Sequence, residues 1–157
     1  MNMRIVSDSS SNILELEGFD YKSVPLKIIS DSKEYVDTPD LDVAKMVEEM
    51  YKSHERFSTS CPNAYDWSKA FEGGENIFAV TITKHLSGCY GAAVNAAEDF
   101  KAENPNANIY VIDSLSTGGE MQLIIEKLIE LQKKGLPFEE IKDEITEYQK
   151  HTHLIFA

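Results

Sequence analysis

Apolar residues along this chain come in two rhythms, short unbroken runs and longer stripes at helical spacing, and the two alternate. Met3 to Val6 is the first run, and it closes at Ser7-Asp8-Ser9-Ser10-Ser11-Asn12, side chains that favour turns and helix caps over a continued strand. Val24 to Ile29 is β-branched enough for a second strand, and Ser30-Asp31-Ser32-Lys33 ahead of Glu34-Tyr35-Val36 reads as a hairpin or a turn into a short edge strand. Ile77 to Ile82 is almost wholly apolar, as a central strand covered on both faces must be, and Asn108 to Ile112 repeats the pattern before Asp113-Ser114.

The stripes fall between these runs. Val43, Met46, Val47, Met50 and Tyr51 share one helical face, with Asp40 and Asp42 at the end where a helix is positive. Asn63, with Asp66 three places on, caps a helix whose apolar side is Ala64, Trp67 and Phe71 and which Gly73-Gly74 ends. Leu86-Ser87-Gly88 leads into a helix with Tyr90, Ala93, Val94, Ala97 and Phe100 on one side, and its small residues let it lie close to a sheet. Met121, Ile124, Ile125, Leu128 and Leu131 make another stripe, stopped by Gly135; Phe138, Ile141, Ile145 and Tyr148 make the last, after Pro137. Apolar strands alternating with long helices imply an α/β fold, a three-layer sandwich in which a mostly parallel sheet is flanked by helices. Ligands of such sheets bind outside the carboxyl ends of the strands, where the loops carrying Asp8, Ser87 and Asp113 would gather.

A chain of 157 residues supports one domain with a real core. The terminal His153-Leu154-Ile155-Phe156-Ala157 reads as the first half of a further strand, so residues 1–157 are expected to be an incomplete domain whose continuation completes any cleft. A net charge of -12 with no Lys/Arg cluster excludes a phosphate backbone as partner, so nucleic acid is set aside. No stretch reaches the roughly 20 apolar residues of a membrane span. Met1-Asn2-Met3-Arg4 runs into a strand without a signal-like apolar region, so a cytoplasmic protein without integral membrane association is expected. Cys61 and Cys89 have the spacing of neither a metal knuckle nor a redox pair with two intervening residues, and are read as reduced, buried thiols.

Two segments carry the candidate chemistry. Phe57-Ser58-Thr59-Ser60-Cys61-Pro62-Asn63 and Leu86-Ser87-Gly88-Cys89-Tyr90 each put a hydroxyl just before an expected helix start, where it can hold an anion together with free backbone N–H groups. That is a poor signature for catalysis and a fair one for a carboxylate site. A helix cap is the simplest alternative for both hydroxyls.

These segments resemble, in order and spacing, the signposts of the DegV family of bacterial fatty-acid-binding proteins. The resemblance rests on Ile5-Val6-Ser7-Asp8-Ser9, Val24-Pro25-Leu26, Tyr35-Val36-Asp37, Thr59-Ser60-Cys61-Pro62, Leu86-Ser87-Gly88-Cys89-Tyr90 with Ala93, and Val111-Ile112-Asp113-Ser114. It implies a DegV-like amino-terminal α/β domain, followed in the family by a second domain, with a long-chain fatty acid such as palmitate held between them and, in some members, presented to a fatty acid kinase. It places the family's carboxylate-contacting threonine on Thr59 and its serine on Ser87, with Gly88 leaving room for the head group. Asp8, Ser60, Cys89 and Asp113 then stand as supporting candidates. The chain departs from the family at Cys61, usually a polar amide, at Cys89, usually threonine, and at Gly91, often glutamine. The family's Gly-Gly-Arg-type segment and head-group histidine fall outside these 157 residues.

The resemblance implies no cofactor, no catalytic residue and no metal. His151 and His153 would share one strand face but lack the partners of a ligand set, and His54 and His85 are isolated. The main enzymatic rival is a serine hydrolase with Ser87 as nucleophile and Asp113 and a histidine as partners, although the Gly-x-Ser-x-Gly elbow is missing. A dinucleotide enzyme lacks its Gly-x-Gly-x-x-Gly. A third class is an interaction module in which lipid only fills the fold.

Overall fold

The computed structural model describes residues 2–153, and the strand expected from residue 153 onward lies, beyond His153, outside them. Four parallel strands form the main sheet in the order β2-β1-β6-β7: β1 Arg4–Asp8, β2 Asp20–Val24, β6 Asn76–Thr81 and β7 Asn108–Asp113. Alternation along the central strands splits the core in two. Met3, Ile5, Phe78, Val80 and Ile112 meet α4 (Gly119–Lys133) and α5 (Phe138–Tyr148) on one face. Val6, Val24, Ile77 and Ala79 meet α2 (Ala64–Phe71) and α3 (Cys89–Glu103) on the other. The three-layer α/β expectation therefore holds.

Local chemistry explains the boundaries. Asn63 Oδ1 accepts the Asp66 N–H at 3.0 Å while the Asp66 carboxylate accepts the Asn63 N–H at 2.9 Å, closing the expected capping box of α2. Gly73 and Gly135, at φ 77° and 75°, follow α2 and α4 in the left-handed conformation that ends helices. On α3 the buried face is Cys89, Ala93, Ala96, Ala97 and Phe100, which drops Tyr90 and Val94 from the expected stripe. Three alanines let this helix lie against β6 and β7.

Three readings change. Val24 to Ile29 is not one strand: β2 ends at Val24, Pro25 intervenes, and β3 (Lys27–Ile29) joins a separate antiparallel sheet in the order β4-β3-β5, with β4 Glu34–Val36 and β5 Ser58–Ser60. A proline donates no ladder hydrogen bond, so the chain changes sheets there. The expected helix is present as α1 (Val43–Lys52), capped by Asp42 Oδ1 on the Lys45 N–H at 2.9 Å, yet none of its residues is buried and Val43, Val47 and Tyr51 are exposed. His151 and His153 do not share a strand face, because Gln149–His151 continues from α5 as a 3-10 turn. Both are exposed, and His151 Nε2 lies 3.4 Å from a Glu147 carboxylate oxygen.

Candidate carboxylate-binding site

The loop from Ile82 to Gly88 is built by its neighbours before Ser87 is reached. Asp8, fully buried at the end of β1, accepts the Ile82 N–H at 2.7 Å on Oδ2 and the Ser10 N–H at 3.1 Å on Oδ1, which also takes the Ser10 hydroxyl. Asp113, at the end of β7, accepts the Lys84 N–H at 3.3 Å and the Leu115 N–H at 3.0 Å on Oδ1. The Thr83 N–H reaches the Ser116 carbonyl at 2.9 Å, and Thr83 O in turn accepts the Leu86 and Ser87 N–H groups at 3.0 and 3.3 Å. Two strand-end carboxylates thus pin this loop from both sides. That is how Asp8 and Asp113 support Ser87 without pointing at it.

Ser87 is half-buried; its O–H lies 3.2 Å from Cys89 Sγ and its oxygen accepts the Cys89 N–H at 3.3 Å. The cap reading of Ser87 is therefore partly realised, since the Cys89 N–H is already shared with the serine. Gly88 precedes α3 as its N-cap with φ -74° and makes no side-chain cap bond. Glycine is useful there for space: a Cβ at Gly88 would stand 3.3 Å from Cys61 Sγ.

Thr59 does not precede a helix directly. It sits on β5 opposite Ile28, exposed, with Cys61 and Pro62 between the strand and the Asn63 cap. Ser60 is half-buried and directs its hydroxyl to the Cys61 carbonyl at 3.4 Å. The β5 segment and the Ser87 loop are joined by Cys61 against Gly88, so the two hydroxyl-bearing segments flank one joint. Cys89 is buried in the core as expected, whereas Cys61 is only half-buried, and both are free thiols.

Burial sets the electrostatics at the joint. Burial pushes the Cys89 thiol up to about 12, helped by the Asp8 charge. Burial also raises the Asp8 carboxyl above its ordinary range, against the pull of its Ser10 and Ile82 donors. On the far side of the loop, Lys84, Tyr90, Val111, Asp113, Leu115 and Gln149 line part of a groove of about 760 Å³, and Lys84 Nζ stands 3.6 Å from Asp113 Oδ2.

Among the described residues, a hydrolase triad is not assembled around Ser87. Ser87 turns its hydroxyl to a sulfur, Asp113 serves the loop and Lys84, and the nearest histidine in sequence, His85, is exposed with its N–H 3.4 Å from Thr83 Oγ1. The Asp8 link to Ile82 spans 74 positions, and no motif announced it.

Comparison with known proteins agrees with this architecture. A DegV domain-containing protein of Streptococcus gordonii is 42% identical over 161 residues, covering all of this chain and 57% of the relative. The chain thus spans little more than half the length of such relatives. The Streptococcus pneumoniae Fatty Acid Kinase (Fak) B3 protein, solved loaded with linoleic acid, superposes with a TM-score of 0.92 at 41% identity, over 96% of this chain and 55% of that one. A DegV family protein of Eubacterium eligens, loaded with heptadecanoic acid, gives 0.91 at 40% identity, over 94% and 54%. No helix among the described residues is long and apolar enough to cross a membrane. The family model described as "Uncharacterised protein, DegV family" matches residues 2–157, and the chain belongs to the DegV family.

Proposed function

We propose that this chain supplies the carboxylate-gripping part of a long-chain fatty-acid-binding protein, with Thr59 and Ser87 donating their hydroxyls to the head group beside Gly88. The observation that carries this reading is the joint itself: a loop fixed by Asp8 and Asp113 presents Ser87, and Cys61 seats the Thr59 segment against it at Gly88. Two relatives at 40% identity or more, each solved loaded with a fatty acid, support the ligand class.

The physics fits a binder. Each buried CH₂ of a tail contributes about 0.8 kcal/mol, and a hydrogen bond to a charged group about 1.5 to 3 kcal/mol. A net charge of -12 repels a free carboxylate at long range, so the site depends on local donors and on the tail. The pneumococcal neighbour's name connects it with a fatty acid kinase, and we extend that to a cytoplasmic role in which this protein presents its acid to such a kinase. The rest of the tail cavity is assigned to a second domain of the longer protein. Asp8, Ser60, Cys89 and Asp113 act behind the two hydroxyls.

The test is mass spectrometry of an organic extract of the full-length protein purified from bacteria. Co-purifying long-chain acid that falls sharply in the Thr59→Ala/Ser87→Ala double variant is the expected result. Preparations that repeatedly lack lipid overturn the proposal.

A further inference from the structure

The whole sequence holds two cysteines, 28 positions apart, and the fold brings them to one joint. Cys61 Sγ stands 3.3 Å from the position of a Cβ on Gly88, and the next residue, Cys89, has its Sγ 3.2 Å from Ser87 Oγ. Both cysteines belong to the same apolar cluster under α3, Cys89 within it and Cys61 packed against it. Neither is engaged in a disulfide, and no third His, Cys, Asp or Glu among the described residues completes a metal site with them. Cys61 is half-buried, whereas Cys89 is wholly buried.

We infer that Cys61 and Cys89 form a reversible disulfide under peroxide, and that this bond closes the head-group site. The Cys61 sulfur attacks one peroxide oxygen; the O–O bond breaks, a sulfenic acid forms and hydroxide leaves, taking the thiol proton as water. Cys89 sulfur then attacks the Cys61 sulfur, the S–O bond breaks, and the departing hydroxide takes the Cys89 proton as a second water. Two thiols are oxidised and one peroxide is reduced. Burial of Cys89 keeps its sulfur protonated and so slows its attack in the second step.

The bond would change the site through geometry. A disulfide holds its sulfurs about 2.05 Å apart, much closer than two thiols in contact, so its formation draws the Cys61 segment onto Gly88. It also converts the thiol sulfur that the Ser87 hydroxyl now faces into a disulfide sulfur tied to Cys61. The effect on lipid rests on the fatty-acid reading above; formation of the bond does not.

The experiment treats the full-length protein with hydrogen peroxide, maps its peptides without reduction, and measures affinity for a fluorescent long-chain fatty acid before oxidation, after it, and after dithiothreitol. Expected are a Cys61–Cys89 cross-linked peptide within one chain, its absence in both Cys61→Ser and Cys89→Ala, and a loss of affinity of about tenfold or more that dithiothreitol reverses. Two free thiols after treatment, or a bond only between chains, overturn the inference and leave lipid binding standing. An intramolecular bond with unchanged affinity overturns the closure. Reduced protein that binds no fatty acid overturns the closure together with the reading it rests on, and the peptide map alone then reports the bond.

Discussion

Replacing Asp8 by asparagine tests the claim that the Ser87 loop is pinned from β1. The two side chains have nearly the same shape, but asparagine keeps one acceptor oxygen where aspartate has two. Asp8 Oδ1 serves Ser10 and Oδ2 serves Ile82, so either orientation of the amide turns an NH₂ group toward a backbone N–H. One buried donor is then unpaired, at about 1 to 3 kcal/mol, while Asp8→Ala leaves both unpaired at roughly twice that cost. Against a total stability of about 5 to 15 kcal/mol, both losses are measurable. Trp67 is the single tryptophan and is fully buried, so its fluorescence follows urea unfolding directly. With an m-value of about 2 kcal/mol/M, Asp8→Asn should move the midpoint down by about 0.5 to 1.5 M, and Asp8→Ala further.

A pH series adds a sign. Burial raises the folded-state pKa of Asp8 above the ordinary 3.8, so the folded state keeps this proton after the unfolded chain has released it. Asp8's contribution to stability therefore falls as pH rises from about 3.8 to its folded-state value, and stays low above it. The asparagine variant lacks that fall, and the difference between the two proteins should narrow as pH rises through the window. An Asp8→Asn midpoint equal to wild type, with Asp8→Ala no worse, would refute the pinning argument.

Three further outcomes follow from the same geometry. Ser87→Ala and Thr59→Ala should each weaken fatty-acid binding by about 10- to 150-fold, the equivalent of about 1.5 to 3 kcal/mol, as read by titration calorimetry. Ser87→Ala should also lower the melting temperature slightly, because the Cys89 N–H loses its acceptor, while exposed Thr59→Ala should leave it unchanged. Gly88→Ala should weaken binding by crowding Cys61, with Cys61→Ala restoring part of the loss, since φ -74° at Gly88 imposes no backbone strain of its own. Leu128→Ala, in the core between α4 and the sheet, should cost about 2 to 5 kcal/mol and lower the melting temperature by about 4 to 20 °C.

Hydrophobic rhythm made three strands of the main sheet and its helices legible because each strand or stripe reports its own buried face, while β2, polar at Asp20, Lys22 and Ser23, went unread. Asn63 and Asp66 announced the start of α2 because a capping box is local chemistry. Elements that depend on distant partners stayed hidden. Ser58–Ser60 is polar and becomes β5 only because Ile28 and its neighbours pair with it, and the expected strand from Val24 to Ile29 fused β3 with only the last residue of β2 across Pro25. The stripe of α1 was read correctly as helical, yet none of its residues is buried, since periodicity gives a helix its face but not the surface that covers it. At the site, Ser87 and Gly88 could be found from the turn that starts α3. The pinning bonds from Asp8 to Ile82 and Asp113 to Lys84 join residues 74 and 29 positions apart, which no local pattern encodes.

The central claim is that the Thr59 and Ser87 hydroxyls share one carboxylate, and a crystal structure of the full-length protein with a long-chain fatty acid tests it most directly. The account requires Thr59 Oγ1 and Ser87 Oγ each within about 3.2 Å of a carboxylate oxygen, with the head group beside Gly88. A head group bound elsewhere, or either hydroxyl turned away from it, would contradict the account.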